Sequence, residues 1–170
     1  SNSTDTRLFR SLSSLSLNKS RLAAFSSSCC VGKRPENDGR FLRSVAVDVP
    51  VMTLFSKFWD FQIRHALNTT VEHNLELIHR SVEYCRARFD CVILDAEHFF
   101  DGYKANSQVA ESAIREAVLA GADRIVLCDT NGGTLPGEVS RIVERLVSVF
   151  PDTHFGVPCP NDTDLAGANR

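Results

Sequence analysis

The chain has 170 residues, a formal net charge of −2 and an apolar fraction of 43%. That length fits one domain, and the apolar fraction suffices for a sizeable core and is too high for a disordered chain. The near-neutral charge gives no electrostatic reason to expect nucleic acid or a membrane surface as a partner, and no apolar run approaches the roughly 20 residues that span a bilayer. We therefore expect a globular protein that binds neither nucleic acid nor membrane.

Residues 1–30 are rich in Ser, Arg and Leu, with Asp5 as their one acidic residue. This composition is typical of an organellar transit peptide. The alternative is that the stretch belongs to the same folded domain, so that one domain covers residues 1–170 with residues 1–19 weakly assigned. We expect a cytoplasmic protein, or one of an organellar stroma or matrix if the leader interpretation holds.

Six cysteines are present, and none forms a CxxC pair or a Cys/His zinc spacing. Four of them lie inside apolar strand or helix patterns, where a free thiol behaves as a small apolar side chain. We therefore predict buried thiols in a reducing compartment. The six are Cys29, Cys30, Cys85, Cys91, Cys128 and Cys159.

The first half of the chain predicts two strands and one long helix. Arg21–Phe25 has a weak strand pattern, and Val49–Phe55 has a better one with Pro50 near its start, where a missing N–H group does least harm. A helix is predicted over Thr70–Ala87, because Thr70 is a good N-cap and apolar residues recur after it at helical spacing.

The second half continues the alternation of strand and helix. Phe89–Asp95 and Arg124–Asp129 predict strands. The helix between them is expected to start with Ser107 as its cap and to end at Ala120, with Gly121 as the stop.

A third helix is predicted after the loop at residues 130–136, and Pro151 ends it. His154–Cys159 predicts a last strand. Strands thus recur about every 30 to 40 residues with a helix between most of them, a βαβ rhythm that implies parallel strands. The predicted apolar face of the third helix is Val139, Ile142, Val143, Leu146, Val147 and Phe150.

The fold class is therefore α/β, and periodicity leaves two architectures open. One is an open, doubly wound sheet, and the other is a closed barrel. A complete (β/α)₈ barrel takes about 250 residues, so this chain has room for about five strands.

Polar residues follow the predicted strands where function is expected, because functional groups in parallel α/β folds gather at the carboxyl ends of strands. Asp95 and Glu97 are two residues apart in one predicted strand, so their side chains lie on the same face. Two carboxylates on one face suit general acid–base catalysis or the binding of a hard metal ion. The alternative is a strand end that turns polar where it meets solvent. Residues 129–134 form a Gly-rich turn that could receive an anion at a helix N-terminus, with an ordinary loop as the alternative, since no Lys follows the glycines.

Two prolines, Pro158 and Pro160, interrupt the last strand pattern. Each removes an N–H donor, which a central strand tolerates badly. The alternative is that the strand stops at Val157.

Residues 94–106 (LDAEHFFDGYKAN) resemble the fifth strand end of the citramalate synthases almost letter for letter, and residues 121–136 (GADRIVLCDTNGGTLP) resemble the sixth strand end of that family. Residues 51–70 (VMTLFSKFWDFQIRHALNTT) resemble its fourth strand and loop, TIFGKSWDxHVxxALxTT. Residues 156–169 (GVPCPNDTDLAGAN) are similar to its motif GxHxHNDxxLAxAN, and a weaker likeness continues back to residue 1.

This resemblance implies a partial (β/α)₈ TIM barrel, about strands three to seven. It also implies an acyltransferase that joins acetyl-CoA to pyruvate, giving citramalate on a route to isoleucine. In that family a divalent metal, Mg²⁺ or Mn²⁺, polarises the keto group while a base takes a proton from the acetyl methyl. By resemblance, Glu97 stands at the position of the acidic catalytic residue, and Thr130 and Asp95 stand where the substrate is bound. The family suggests a homodimer when complete.

The chain departs from the family where the metal is bound. The family's two histidine ligands stand at spacing i, i+2 on the seventh strand, where this chain has Pro158 and Pro160, and proline has no donor atom for a metal. A first-strand segment like DTTLRDG, which carries the metal Asp and an arginine for the keto acid, is missing too, as is everything after the seventh strand. Basic residues of the family's GSTRR loop are replaced at Ser26–Cys30. We therefore expect no bound metal in this chain.

Three hypotheses follow from the matches and departures. The first is a piece of a citramalate synthase that is inactive as this chain. The second is a metal-free, non-catalytic barrel relative that pairs with a complete subunit through exposed sheet edges. The third, a minor one, keeps the fold and changes the 2-keto acid, as in a 2-isopropylmalate synthase.

Overall fold

The computed structural model describes residues 11–12 and 17–158. Within these residues, five parallel strands form one sheet in which each strand pairs with its neighbours in sequence. This order requires every connection to cross over in the same sense, as in a βαβ chain. The strands are β1 (Ala23–Ser27), β2 (Val51–Lys57), β3 (Cys91–Glu97), β4 (Arg124–Leu127) and β5 (His154–Gly156).

Helices fill each crossover between these strands, which confirms the predicted α/β class. The three long helices have the predicted positions, and Thr70 caps the first of them by accepting a hydrogen bond from the His73 N–H group. The described segments between the strands contain a 3₁₀ turn (Pro35–Asn37) and the helices α1 (Gly39–Val45), α2 (Asp60–His65), α3 (Val71–Arg86), α4 (Phe99–Ala105), α5 (Ser107–Leu119) and α6 (Pro136–Val149).

The short helices α1, α2 and α4 were not among the predicted elements. Each has six or seven residues, too few for a 3.6-residue period to become visible in the sequence. The cap of α5 also differs from the prediction. Asn106 is its N-cap, because the Asn106 side chain accepts from the Val109 N–H group, and Ser107 is the first helical residue.

Two predictions about the last helix and strand are wrong. Val147 is 48% exposed rather than part of the apolar face of α6, because the buried positions Val139, Ile142 and Leu146 already form a complete stripe at spacing i, i+3, i+7. The strand β5 ends at Gly156, and Pro158 lies beyond it and is exposed. The shorter strand is the better interpretation, and Cys159, the last residue of the predicted strand, lies outside the described residues.

Alternation along β2 and β3 separates the core from the opposite face of the sheet. Met52, Leu54, Val92 and Leu94 are fully buried beneath the helices, where they join one apolar cluster with the inward residues of α3 and α5. Residues between them point to the opposite face of the sheet, here called the inner face, and are only partly buried. The polar strand ends therefore lie on this inner face.

A buried carboxylate fixes the loop after β1. Asp38 is fully buried and accepts hydrogen bonds from the N–H groups of Cys30 (2.7 Å), Arg40 (3.0 Å) and Phe41 (3.3 Å). Burial alone would raise the pKa of Asp38, but these donors outweigh it and lower the pKa from 3.8 to about 2. The carboxylate thus caps α1 and ties it to the end of β1.

Replacing Asp38 by alanine is expected to lower the free energy of unfolding by about 1–3 kcal/mol at pH 7, because one buried and two partly buried N–H groups lose their acceptor. The folded pKa of about 2 lies below the ordinary 3.8, so this stabilisation is fully present above pH 3.8 and is lost as the pH falls towards 2. Urea denaturation at pH 7 and at decreasing pH measures the difference, with the exposed Asp48→Ala as control. A difference that stays constant down to pH 2 would contradict the assignment.

Candidate functional site

The inner face of the sheet holds a cavity of about 480 Å³ at the carboxyl ends of the strands. Strand register brings its walls together, since Phe55 stands beside Asp95 and Lys57 beside Glu97. Phe25 on β1 stacks on Phe55 with ring centroids 5.3 Å apart, which makes one wall apolar. The cavity is lined by Phe25, Phe55, Asp95, Glu97, Cys128, Asp129, Thr130 and Pro158.

Asp95 and Glu97 lie on one face of β3 as the alternation predicts, and both line the cavity. Burial raises the pKa of Asp95, and the negative charge of Glu97 raises it further. Two carboxylates so arranged resist simultaneous ionisation. The pair therefore favours a site in which one group is a base and the other carries or shares a proton.

Sequence reasoning missed Lys57, the third charged group of this arrangement. Its Nζ lies 2.7 Å from Glu97 Oε2, with both side chains largely buried. The available signal was its place in VMTLFSK, two residues after Phe55 and at the strand's carboxyl end. That signal could not show which carboxylate Lys57 meets, because the register of β2 on β3 is set by the fold.

Thr130 follows β4 and lines the same cavity as the carboxylates. Its Oγ1 accepts a hydrogen bond from the His98 N–H group at 2.8 Å, and a hydroxyl that accepts can still donate its own hydrogen. His98 has a left-handed backbone (φ 55°), uncommon for a residue with a side chain. This bond joins the ends of β3 and β4, so all three predicted site residues meet at one cavity.

The Gly-rich turn after Thr130 is closed by its own hydrogen bonds. Asp129 is buried and accepts from the N–H group (3.0 Å) and the hydroxyl (2.9 Å) of Thr134. Gly132 supplies the positive φ of 66° that the turn needs. At the start of α6, Glu138 Oε2 accepts from the Leu135 N–H group. Since these groups are engaged internally, the structure favours the ordinary loop over an anion site.

Cysteine burial is uneven. Cys29 and Cys85 are buried, whereas Cys30, Cys91 and Cys128 are partly exposed, and these five described thiols are all free. Cys128 lines the cavity. Burial, and then the charges of Asp95 and Glu97, raise the pKa of the Cys128 thiol to about 12. The prediction of buried thiols is therefore confirmed for Cys29 and Cys85, whereas Cys30, Cys91 and Cys128 are partly exposed.

Replacing Asp95 by asparagine should lower the pKa of Cys128, because one of the two negative charges facing the thiol is removed. Each unit of that shift raises the thiolate fraction, and with it the alkylation rate, by about tenfold. The rate is measured at pH 8 with iodoacetamide, following Cys128 by mass spectrometry. The control is Asp90→Asn, because Asp90 is exposed and directly precedes β3, at the end of the strand away from the cavity. Equal rates in both variants would contradict the proximity of Asp95 and Cys128.

The described residues do not form a ligand set for the divalent metal that the resemblance implies. Within residues 11–12 and 17–158, no group of three or more His, Cys, Asp or Glu side chains is placed to hold an ion. A hard cation such as Mg²⁺ takes about six oxygen ligands, several of them waters. Glu97 is engaged by Lys57, and Pro158, on the same cavity, has no side-chain donor. The second family histidine position, Pro160, lies outside the described residues.

None of the helices in the described part of the chain is both long and apolar enough to cross a bilayer.

No protein-family model matches the chain, whereas several curated proteins do. The (R)-citramalate synthase of Aquifex aeolicus is 40% identical over 168 residues, and that of Geobacter sulfurreducens is 41% identical over 169 residues. Each match covers 99% of this chain and 32% of the relative, so the chain spans about a third of the length of these relatives. The 2-isopropylmalate synthase of Xanthomonas oryzae pv. oryzae is 32% identical over 82% of this chain and 26% of that protein.

Comparison with a solved structure identifies the fold. The hydroxymethylglutaryl-CoA lyase of Pseudomonas aeruginosa superposes with a TM-score of 0.72 at 17% identity, covering 98% of this chain and 53% of that chain. With five parallel strands in sequential order, this likeness makes the protein an α/β protein of the TIM-barrel class, and the predicted partial barrel is confirmed. The sequence matches then give the family: the chain is a partial-length member of the (R)-citramalate synthase family.

Proposed function

We propose that this chain is part of an acyltransferase that condenses acetyl-CoA with pyruvate to citramalate. One observation carries the proposal. Asp95, Glu97 and Thr130 line a single cavity at the carboxyl ends of parallel strands, in a chain that is 40% identical to an (R)-citramalate synthase over 99% of its length. Unpaired cysteines support a reducing, cytoplasmic compartment, and the family resemblance supports a homodimer when the protein is complete.

Each side chain of the cavity has a separate role in the proposed reaction. Glu97 takes a proton from the acetyl methyl group, and the carbon so activated forms a bond to the keto carbon of pyruvate, whose oxygen gains a proton. Water then cleaves the thioester, releasing the free thiol of CoA and citramalate. Thr130 can donate a hydrogen bond to an oxygen of the keto acid, and the raised pKa of Asp95 suits a carboxyl group that shares a proton with substrate.

We further propose that this chain alone binds no divalent metal tightly and forms no citramalate. Proline at 158 and 160 offers no donor where the family resemblance has two histidines. A metal-free, non-catalytic relative is the second candidate, favoured by the presence of Pro158 in the cavity wall. The two candidate functions differ in one respect. If the chain is part of a synthase, the cavity wall formed by Asp95, Glu97 and Thr130 supports catalysis once metal-ligating residues are supplied, and if it is a non-catalytic relative, it does not.

A pair of chimeras tests this difference. In the short chimera, residues 20–157 of this chain replace the matched segment of the Geobacter sulfurreducens relative, so the host supplies its own residues at positions 158 and 160. In the long chimera, residues 20–170 are exchanged, which brings in both prolines. Citramalate formation from acetyl-CoA and pyruvate is measured with Mg²⁺ or Mn²⁺ by mass spectrometry and by release of the CoA thiol.

The short chimera should form citramalate, and the long chimera should not. A folded but inactive short chimera would contradict the proposed function and favour the non-catalytic relative. An active long chimera would show that the prolines do not occupy ligand positions. Activity with 2-oxoisovalerate in place of pyruvate would move the assignment to the isopropylmalate type.

A further inference from the structure

We propose that Lys57 is the positioning residue of Glu97, holding one carboxylate oxygen so that the other is presented to substrate. The proposal deepens the proposed function and rests on it for the role of Glu97. Its basis is the contact between Lys57 Nζ and Glu97 Oε2, at 2.7 Å, across neighbouring strands.

The backbone fixes this contact from both sides. Lys57 and Glu97 are register partners at the last pair of β2 and β3, and the Phe58 N–H group donates to the Glu97 carbonyl at 3.2 Å. Both side chains leave the same face of the sheet and are only 22% and 28% exposed. A long lysine side chain so enclosed has few other positions to occupy.

The two oxygens of Glu97 are left in different states. Oε2 is buried, and no described residue gives it a hydrogen bond of good geometry, so the Lys57 ammonium is the partner that compensates its burial. Oε1 is thereby left as the oxygen that can turn to the cavity. A carboxylate held at one oxygen is oriented for proton transfer at the other.

Lys57 also explains how two carboxylates coexist on this face. Asp95 stands two residues before Glu97 and feels its charge. The positive charge of Lys57, 2.7 Å from Glu97 Oε2, offsets that repulsion at the carboxylate that is to accept the proton. A purely structural ion pair would stabilise the sheet without affecting the protonation of the base.

The short chimera tests this role through Lys57→Gln and Lys57→Arg, with the exposed Lys33→Gln as a matched control. Lys57→Gln should lower kcat by about tenfold or more, change KM less, and move the acid limb of the pH–rate profile to higher pH. Lys57→Arg should restore most of kcat, because it keeps the charge. Urea denaturation of each variant separates lost activity from lost folding. An unchanged kcat and pH profile in a folded Lys57→Gln variant would overturn the proposal.

The 170-residue chain supplies a test that needs no activity. The side-chain ammonium of Lys57, observed by ¹⁵N NMR and assigned through Lys57→Gln, should shift on Glu97→Gln and stay unchanged on Asp152→Asn. No shift on Glu97→Gln would overturn the proposal whatever the chimera does. A clear shift with an inactive parent chimera would overturn the proposed function while leaving the contact between Lys57 and Glu97 established.

Discussion

Replacing Glu97 by glutamine in the short chimera should lower kcat by about 10²–10⁴-fold, the usual contribution of a positioned base. Glutamine keeps the size and hydrogen-bonding shape of the side chain but cannot accept a proton at neutral pH. The loss should fall on kcat and on kcat/KM alike, because the proton transfer occurs only in the transition state. Steady-state rates over a range of both substrates measure the two constants.

Two companion variants make this result specific to Glu97. Glu83→Gln, exposed on the outer helix α3, removes the same charge far from the cavity and should keep full activity. Asp95→Asn should cost less than Glu97→Gln if Asp95 binds substrate and does not take the proton. Full activity in a Glu97→Gln chimera would show that another group is the base, and a larger loss in Asp95→Asn would exchange the two roles.

The shared face of Asp95 and Glu97 could be predicted because it depends only on local geometry. Alternation along an extended chain fixes the relative direction of residues two apart, wherever the strand lies in the fold. The long helices were predictable for the same reason, since α3, with 16 residues, repeats its apolar spacing several times. Local patterns of this kind also placed Thr70 as the cap of α3.

Contacts between strands could not be predicted in the same way. Lys57 and Glu97 are 40 positions apart, and Thr130 and His98 are 32 apart. A shift of one residue in register would move Lys57 to the other face of the sheet, and nothing in either strand's own pattern fixes that register. The sequence of a strand therefore predicts on which face each side chain lies. Its partner on the neighbouring strand can be identified only from the folded structure.

The Gly-rich turn shows a different limit of prediction from sequence. Glycines followed by a helix are compatible with both an anion site and a closed loop, and the sequence left both open. The choice is made by the carboxylate of Asp129, which accepts two hydrogen bonds from Thr134 within the turn. Sequence showed an Asp before the glycines but could not show whether its oxygens turn inward to the loop or away from it.

Replacing Gly102 by alanine should lower the free energy of unfolding by about 1–3 kcal/mol, the usual cost of forcing extra volume into a packed region. A Cβ atom at this position in α4 would lie 2.5 Å from the carbonyl oxygen of Phe58 and 2.8 Å from the Cα atom of Trp59. Both are backbone atoms at the junction of β2 and α2, so neither can move without displacing an element. The strain would reach the site, because Phe58 directly follows Lys57 and its N–H group donates to the Glu97 carbonyl.

Gly137 provides the matched control for this substitution, since a Cβ atom there meets no atom within 4 Å. Gly137 lies in the first turn of α6, where alanine should stabilise by up to about 1 kcal/mol by restricting the unfolded chain. Urea denaturation of the 170-residue chain should therefore move the midpoint in opposite directions for the two variants. Such a divergence cannot arise from helix propensity, which favours alanine at both positions. It requires the close approach of α4 to the end of β2. Equal stabilisation of both variants would show that this approach is absent.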